Sequence, residues 1–265
     1  MLKKRLDILL VEKNLYTSRQ QAQRCIRAGE VKINQRIIDK PGTEINIKAE
    51  IEVKIKPPYV SRGGKKLEKA LKTFQVSVVD RICLDGGIST GGFSDCLLQS
   101  GARLVYGIDV GYGQVAWSLR QNKRIFLKER TNIRYLTPDI LYEKNIQANL
   151  GVVDVSFISL TKILEPLSRL LTSPKEVILL VKPQFEVGKS KIGKNGVVRD
   201  LKDHCEAICK IIEVSYGLGW LYCGLTHSPI KGPAGNTEYL LWLRSDYGSQ
   251  NYFSNQVEAI CSQYL

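Results

Sequence analysis

Four residues have the types and settings of a site that moves a proton and steers charge: Lys66, Asp154, Lys182 and Glu238. Asp154 closes the apolar run GVVD and Lys182 closes VILLVK. In open α/β sheets the binding crevice lies beyond the carboxyl ends of the strands, so charges at those points face it. A second set lies upstream. The run LDGGISTGGF, Leu84–Phe93, reads as a strand ending in Asp85 and then a turn that opens a helix, with Gly86, Gly87, Ser89, Gly91 and Gly92 in it. Asp109 ends the next apolar run, where an acid accepts hydrogen bonds from ribose hydroxyls. The turn has neither G-x-G-x-x-G nor G-K-[ST], which disfavours a dinucleotide dehydrogenase and a P-loop enzyme. The chemistry such a set fits is methyl transfer to a sugar hydroxyl. That hydroxyl is a poor nucleophile and needs a base, and a lysine serves where positive neighbours and desolvation lower its pKa. Taken singly, each charge also reads as an ordinary strand-end residue, and the glycines as a plain tight turn.

Bringing these residues together requires strands that end on one edge. From Arg81 onward, strands are predicted near Ile82–Leu84, Leu104–Ile108, Ile125–Lys128, Gly151–Val155, Val177–Val181, Trp220–Leu225 and Tyr239–Leu243. Helices are predicted near Leu67–Phe74, Gly92–Ser100, Val115–Gln121, Leu160–Leu171 and Lys202–Tyr216. The alternation implies an α/β domain over 63–246, with a mostly parallel seven-stranded sheet covered on both faces. Residues 247–265 are set apart as a C-terminal tail. Phe185–Arg199, with Lys189, Lys191, Lys194 and Arg199, reads as a mobile basic loop touching substrate phosphates, or as a solvated surface loop.

The net charge of +13 is unevenly placed: residues 1–72 hold 18 Lys/Arg and 8 Asp/Glu, and the remainder is nearly neutral. A basic N-terminal quarter implies a polyanion-binding module; a solvated lysine-rich surface is the plainer alternative. Residues 5–14 have helical spacing. Ser18 starts a second helix, with Gln21 as capping-box partner and Gly29 as its stop. Ala22, Cys25 and Ile26 make one face of that helix, and Gln20, Gln23, Arg24 and Arg27 another. Such a helix packs on its own domain and is presented to phosphates. Arg5, Arg19 and Lys32 extend this phosphate-facing set in residues 1–56, and Arg62, Lys65 and Lys189 extend it further on. Strands follow at Val31–Ile33 and, alternating, to Ile55; Lys56-Pro57-Pro58 then leads into a stiff linker over 57–62.

Seven scattered cysteines have no zinc-finger spacing, and no metal is expected. LDILLVE is too short and too charged for a signal, and no apolar run reaches the roughly 18–20 residues of a membrane span. A reducing, cytoplasmic setting and no membrane partner are expected, with a monomer favoured.

RLDILLVEKNLYTSRQQAQRCIRAGEVKINQRII resembles the ribosomal-protein-S-four-like RNA-binding domain, which implies binding of structured RNA by shape and backbone contact. PYVSRGGKKLEKAL, LDGGISTGGFSDCLLQSGA, VYGIDVGYGQ, ERTNIRYL, VVDVSFISL, LVKPQFEVGK, GVVRD and SPIKGPAGNTEYL resemble, in order and spacing, the FtsJ-type ribose 2′-O-methyltransferases. The whole chain is similar to the TlyA, or hemolysin-A-like, rRNA methyltransferase family. The resemblance implies a Rossmann-like class I methyltransferase fold, and Lys66, Asp154, Lys182 and Glu238 as a catalytic tetrad. It implies S-adenosylmethionine at Asp85–Phe93 and Asp109, and a 2′-hydroxyl of cytidine in 16S or 23S rRNA, or both, as acceptor. Lys66 is preferred to Lys65 because it directly precedes the leucine of SRGG-x-K-L. The loop reads DGGIS where many relatives have DVGAS. Three other readings are weighed: a catalytically inactive ribosome-assembly factor, a membrane-active hemolysin and a pseudouridine synthase. The complete tetrad disfavours the first, the absence of a membrane span in the sequence the second, and the missing HRLD-type segment the third.

Overall fold

The computed structural model describes residues 2–54, 57–143, 146–249 and 254–263. Ile55 and Lys56, the expected strand end and linker start, lie outside the described residues. The chain divides into two compact units, Met1–Pro57 and Pro58–Leu265.

The first unit runs β1 (Lys3–Arg5), α1 (Leu6–Glu12), α2 (Arg19–Arg27), β2 (Val31–Ile33), β3 (Arg36–Ile37), β4 (Glu44–Asn46) and β5 (Ile51–Val53). β1 pairs antiparallel with β4, and β3-β2-β5 form a small antiparallel sheet. Leu6, Leu9, Leu10, Ala22, Ile26, Val31, Ile33 and Ile45 make its core. Ser18 Oγ accepts the Gln21 N–H at 3.2 Å and so caps α2. Gln21 Oε1 accepts from Thr17 through both its N–H and its hydroxyl, not from Ser18 as a capping box would have it.

The second unit runs α3 (Gly63–Phe74), β6 (Ile82–Gly86), α4 (Gly92–Gln99), β7 (Leu104–Ile108), α5 (Trp117–Arg120), β8 (Ile125–Lys128), α6 (Pro138–Tyr142), β9 (Leu150–Val153), α7 (Leu164–Leu170), β10 (Glu176–Val181), α8 (Pro183–Glu186), α9 (Leu201–Gly217), β11 (Leu221–His227), β12 (Tyr239–Arg244) and α10 (Ser254–Ser262). Its seven strands lie in the order β11-β12-β10-β9-β6-β7-β8, parallel except that β12 runs antiparallel to both neighbours. Parallel strands are covered on both faces and read as unbroken apolar runs. β10 is buried along its length: Val177, Leu179 and Val181 enter one core, Ile178 and Leu180 the other. Among the described residues no helix is long and apolar enough to cross a membrane.

Several elements depart from expectation. α3 begins at Gly63, four residues early, and Gly64 fits where a larger residue would not: a Cβ there would lie 2.2 Å from the Tyr59 ring. This places Lys66 on a helix. The predicted helix Leu160–Leu171 divides into a 3-10 turn and α7; α7 tolerates Pro166 in its first turn, where an N–H has no intrahelical partner. The linker expected over 57–62 is bound to the second unit from Pro58 onward: Gln99 Nε2 donates to Pro58 O at 2.9 Å, and the Val60 N–H to Asp95 Oδ2 at 2.8 Å. The expected tail carries α10, whose Val257 and Cys261 are buried in the same core as α9.

α3 and α4 approach closely at their N-termini, where a Cβ on Gly92 would fall 2.2 Å from Ser61 Oγ and 2.9 Å from the Gly64 nitrogen. Gly92→Ala therefore destabilises the second unit by about 1–3 kcal/mol through overpacking. Urea unfolding followed by circular dichroism should show the lower midpoint, and an unchanged midpoint would mean that the two helices are not in contact there.

Candidate active site

The sheet register assembles the site. Val153 lies beside Leu179 on one flank and Gly86 on the other, and Gly86 lies beside Ile108. The residues that follow, Asp154, Gly87 and Asp109, therefore emerge together at the carboxyl end of the parallel strands. Val181 pairs with Tyr239 on antiparallel β12. Lys182 leaves one strand where Glu238 enters the other, so reversing β12 brings an acid from before a strand to the edge where the others come from strand ends.

The four charges form two ion pairs. Lys66 Nζ lies 2.5 Å from Glu238 Oε2. Lys182 Nζ lies 2.6 Å from Asp154 Oδ1 and donates to Ser156 Oγ at 2.9 Å. Glu238 is 1% exposed and both lysines are buried, whereas Lys65, the neighbour of Lys66, is exposed. Charges this far from water cost several kcal/mol each unless paired, which each pair satisfies.

Two cavities adjoin the charges. One, of about 510 Å³, is lined by Gly87, Ser89, Asp109, Gln114, Asn132 and Asp154, with Ile108, Ile133 and Ile158 giving it apolar walls. A smaller one of about 200 Å³ is lined by Ser61, Arg62, Lys66, Asp154 and Lys231. Asp154 lines both.

Asp109 Oδ2 accepts the Ser89 N–H and Oδ1 the Gly111 N–H, each at 2.7 Å. Each oxygen retains a lone pair for a hydroxyl. Gly87 has φ of +86°, and a Cβ there would meet the Asp154 carbonyl oxygen at 2.4 Å, so only glycine brings the turn this close to β9.

Five residues expected to hold a cofactor do not line the large cavity. Asp85 is fully buried and turned toward α4, where Ser94 Oγ donates to its Oδ2 at 2.7 Å. Its Oδ1 finds no hydrogen-bond partner among the described residues. Burial pushes the Asp85 carboxyl up to about 7 against the Ser94 bond, with Asp154 and Asp109 adding to the push. Gly86 lies within β6, Gly91 and Gly92 serve the packing of α4, and Phe93 sits in the core beside Leu67 and Leu97.

In the first unit, Gln20, Arg24, Arg27 and Lys32 are exposed, as are Arg62 and Lys189 in the second. Arg5 and Arg19, exposed as well, and half-buried Gln23 donate to one buried carboxylate, Asp7. The basic loop expected to be mobile is pinned at its end: Asn236 Oδ1 accepts the Val198 N–H at 3.0 Å, and its Nδ2 donates to Gly196 O at 2.9 Å. Lys191 is drawn into ion pairs with Asp203 and Glu206. Residue spacing missed Ser156, Asn132, Lys231 and Phe157. Phe157 stands 91% exposed with φ of +63° on the wall of the large cavity, and its place directly after DVS was the available signal.

Residues 59–245 match the FtsJ-like methyltransferase family and residues 4–51 the S4 domain. The chain is 50% identical over 91% of its length to YqxC of Bacillus subtilis, which carries a provisional rRNA methyltransferase name, covering 85% of that protein. It is 43% identical over 91% of its length to the 16S/23S rRNA (cytidine-2′-O)-methyltransferase TlyA of Mycobacterium tuberculosis, covering 90% of it. A solved structure from Streptococcus thermophilus, provisionally called a hemolysin, superposes with a TM-score of 0.75 at 42% identity, over 99% of this chain and 96% of that one. The chain belongs to the FtsJ-like methyltransferase family and carries an S4 domain ahead of its catalytic fold.

Proposed function

We propose that this protein methylates a ribose 2′-hydroxyl, that of a cytidine, in ribosomal RNA, with S-adenosylmethionine as donor. The observation that carries the reading is Asp154, which stands in the wall of both cavities with Lys182 against it. The large cavity lies within the roughly 300–1,000 Å³ range of small-molecule sites. Its donor set fits an adenosyl sulfonium. Asp109 has lone pairs for ribose hydroxyls, the isoleucines accept a flat base, and the Asp154 carboxylate favours a cation. S-adenosylmethionine supplies a methyl group on a positively charged sulfur.

The smaller cavity receives the acceptor ribose. Lys66 and Asp154 line it, and Lys182 is paired with Asp154. The hydroxyl oxygen bonds to the methyl carbon as the carbon–sulfur bond breaks and a neutral thioether leaves. Lys182, held by Asp154 and Ser156, takes the hydroxyl proton in its neutral amine form, having first released the proton it carries in the ion pair. Glu238 fixes Lys66, whose ammonium favours the developing negative charge on the ribose oxygen. Arg62 and Lys231 at the rim favour the flanking phosphates. The exposed basic residues of the S4 domain add sequence-tolerant hold on the RNA, in a cytoplasmic setting where ribosomes are made. The relatives named for 16S and 23S rRNA support either RNA as substrate.

Three measurements test this. Asp109→Ala weakens donor binding by about 1–3 kcal/mol in calorimetry, and tight NAD binding by the unmodified protein would sink the donor assignment. Changing Arg24 and Arg27 together to Glu lowers affinity for rRNA and flattens its salt dependence; unchanged affinity would remove α2 from the RNA face. Lys182→Ala slows single-turnover methylation by about a hundredfold or more while RNA binding persists. Lys182→Arg, which keeps the charge but cannot accept the proton, is as slow as the alanine variant; an active arginine variant would leave Lys182 a charge-steadying role only.

A further inference from the structure

Asp7, in the first turn of α1, has a fully buried side chain in a unit otherwise rich in basic residues. Arg5 Nε donates to its Oδ1 and Arg5 Nη2 to its Oδ2, both at 3.1 Å. Arg19 Nε donates to Oδ2 at 2.9 Å and Gln23 Nε2 to the same oxygen at 2.7 Å. These bonds, with Arg5 foremost, hold the Asp7 carboxyl far below the usual carboxylate range despite its burial. The two arginine side chains nevertheless remain 45% and 53% exposed. Arg5 also lies against the Pro41-Gly42 turn, where a Cβ on Gly42 would come 3.4 Å from its Nη1. Asp7 donates its own N–H to Pro41 O, which fixes the same turn.

Arginine carries five donors in a rigid fork. Asp7 takes two from Arg5 and one from Arg19, so Nη1 of Arg5 and both Nη groups of Arg19 are not spent on it. Two guanidinium groups converging on one oxygen would repel each other without the carboxylate. A phosphate that meets such a pair finds its donors already ordered, and avoids the side-chain entropy of about 0.5–1.5 kcal/mol that immobilising each long side chain would cost.

We infer that Asp7 is the positioning residue of the RNA-binding face, a buried anion that sets Arg5 and Arg19 as a preformed clamp for backbone phosphates of structured RNA. The inference rests on the reading that the N-terminal unit binds rRNA. It makes a prediction of unusual sign. Removing a negative charge from a basic domain should tighten RNA binding if charge alone counts, whereas loss of the clamp weakens it.

The test uses the full-length protein with purified 16S and 23S rRNA, by filter binding from about 50 to 200 mM salt. Asp7→Asn, nearly the same in shape, is expected to bind about tenfold more weakly, with a shallower salt slope, at a temperature where its thermal unfolding profile shows it folded. Arg19→Lys keeps the charge but loses the fork, and should weaken binding similarly. It decides the matter alone if Asp7→Asn does not fold. Equal or tighter binding by the folded Asp7→Asn protein, or by Arg19→Lys, overturns the inference. The double change of Arg5 and Arg19 to alanine separates the two levels. If it leaves rRNA affinity unchanged, this face does not bind RNA and the underlying reading fails. If it weakens binding while Asp7→Asn and Arg19→Lys do not, the face is right and the positioning role is wrong.

Discussion

The ion pair between Lys66 and Glu238 joins residues 172 positions apart in a place almost closed to water. Breaking such a pair by removing one partner costs about 3–5 kcal/mol, because it strands a buried charge. The demand that they meet explains much of the second unit. Lys66 is brought in by α3, and α3 can lie where it does only because Gly64 admits the Tyr59 ring and Gly92 admits Ser61. Glu238 is brought in by the antiparallel turn of β12 and by the preceding loop, where Gly232 donates to Asn236 O at 2.9 Å. The segment of residues 58–62, tethered to Asp95 and Gln99, belongs to this scaffold and carries Ser61 and Arg62 to the small cavity.

The second pair, Lys182 with Asp154, needs no such device, since both residues leave adjacent parallel strands. Their separation is fixed by ladder hydrogen bonds and by the fully buried β10 beneath Lys182. A rigid strand with both faces packed is a better mount for a reacting group than a loop, because its side chain is held by the core. The helix that follows opens with Pro183, whose missing N–H is no loss at a first helical position. The chain turns away there and leaves the lysine at the carboxyl end of the strand.

How much of this was legible in the residue order depends on range. β10 and β9 were readable as VILLV and GVV because two-sided burial leaves an unbroken apolar run, and the charge closing each run marks the crevice. The face of α2 made by Ala22, Cys25 and Ile26 follows from helical spacing alone, and all three residues are buried. What could not be read depends on neighbours brought from far away. Nothing near Asp85 says that its carboxyl turns into the core toward Ser94. Nothing near Arg19 says that Asp7, twelve residues earlier, takes its Nε. The glycines around Gly91 and Gly92 looked like a ligand cradle, yet they answer to packing, because a missing side chain serves either purpose and spacing cannot tell which. α10 escaped notice because a short helix that turns only a few apolar residues inward, Val257, Ile260 and Cys261 among them, has too little periodicity to announce itself.

Asp154 is a party wall. With one carboxylate lining two chambers, a ligand in either that engages it acts on the other. Whatever orientation or partner it adopts toward one ligand is presented to the other, and the resulting coupling free energy is reciprocal: each ligand alters its companion's affinity by the same factor. Under the proposed function the two ligands coupled in this way would be the methyl donor and the RNA.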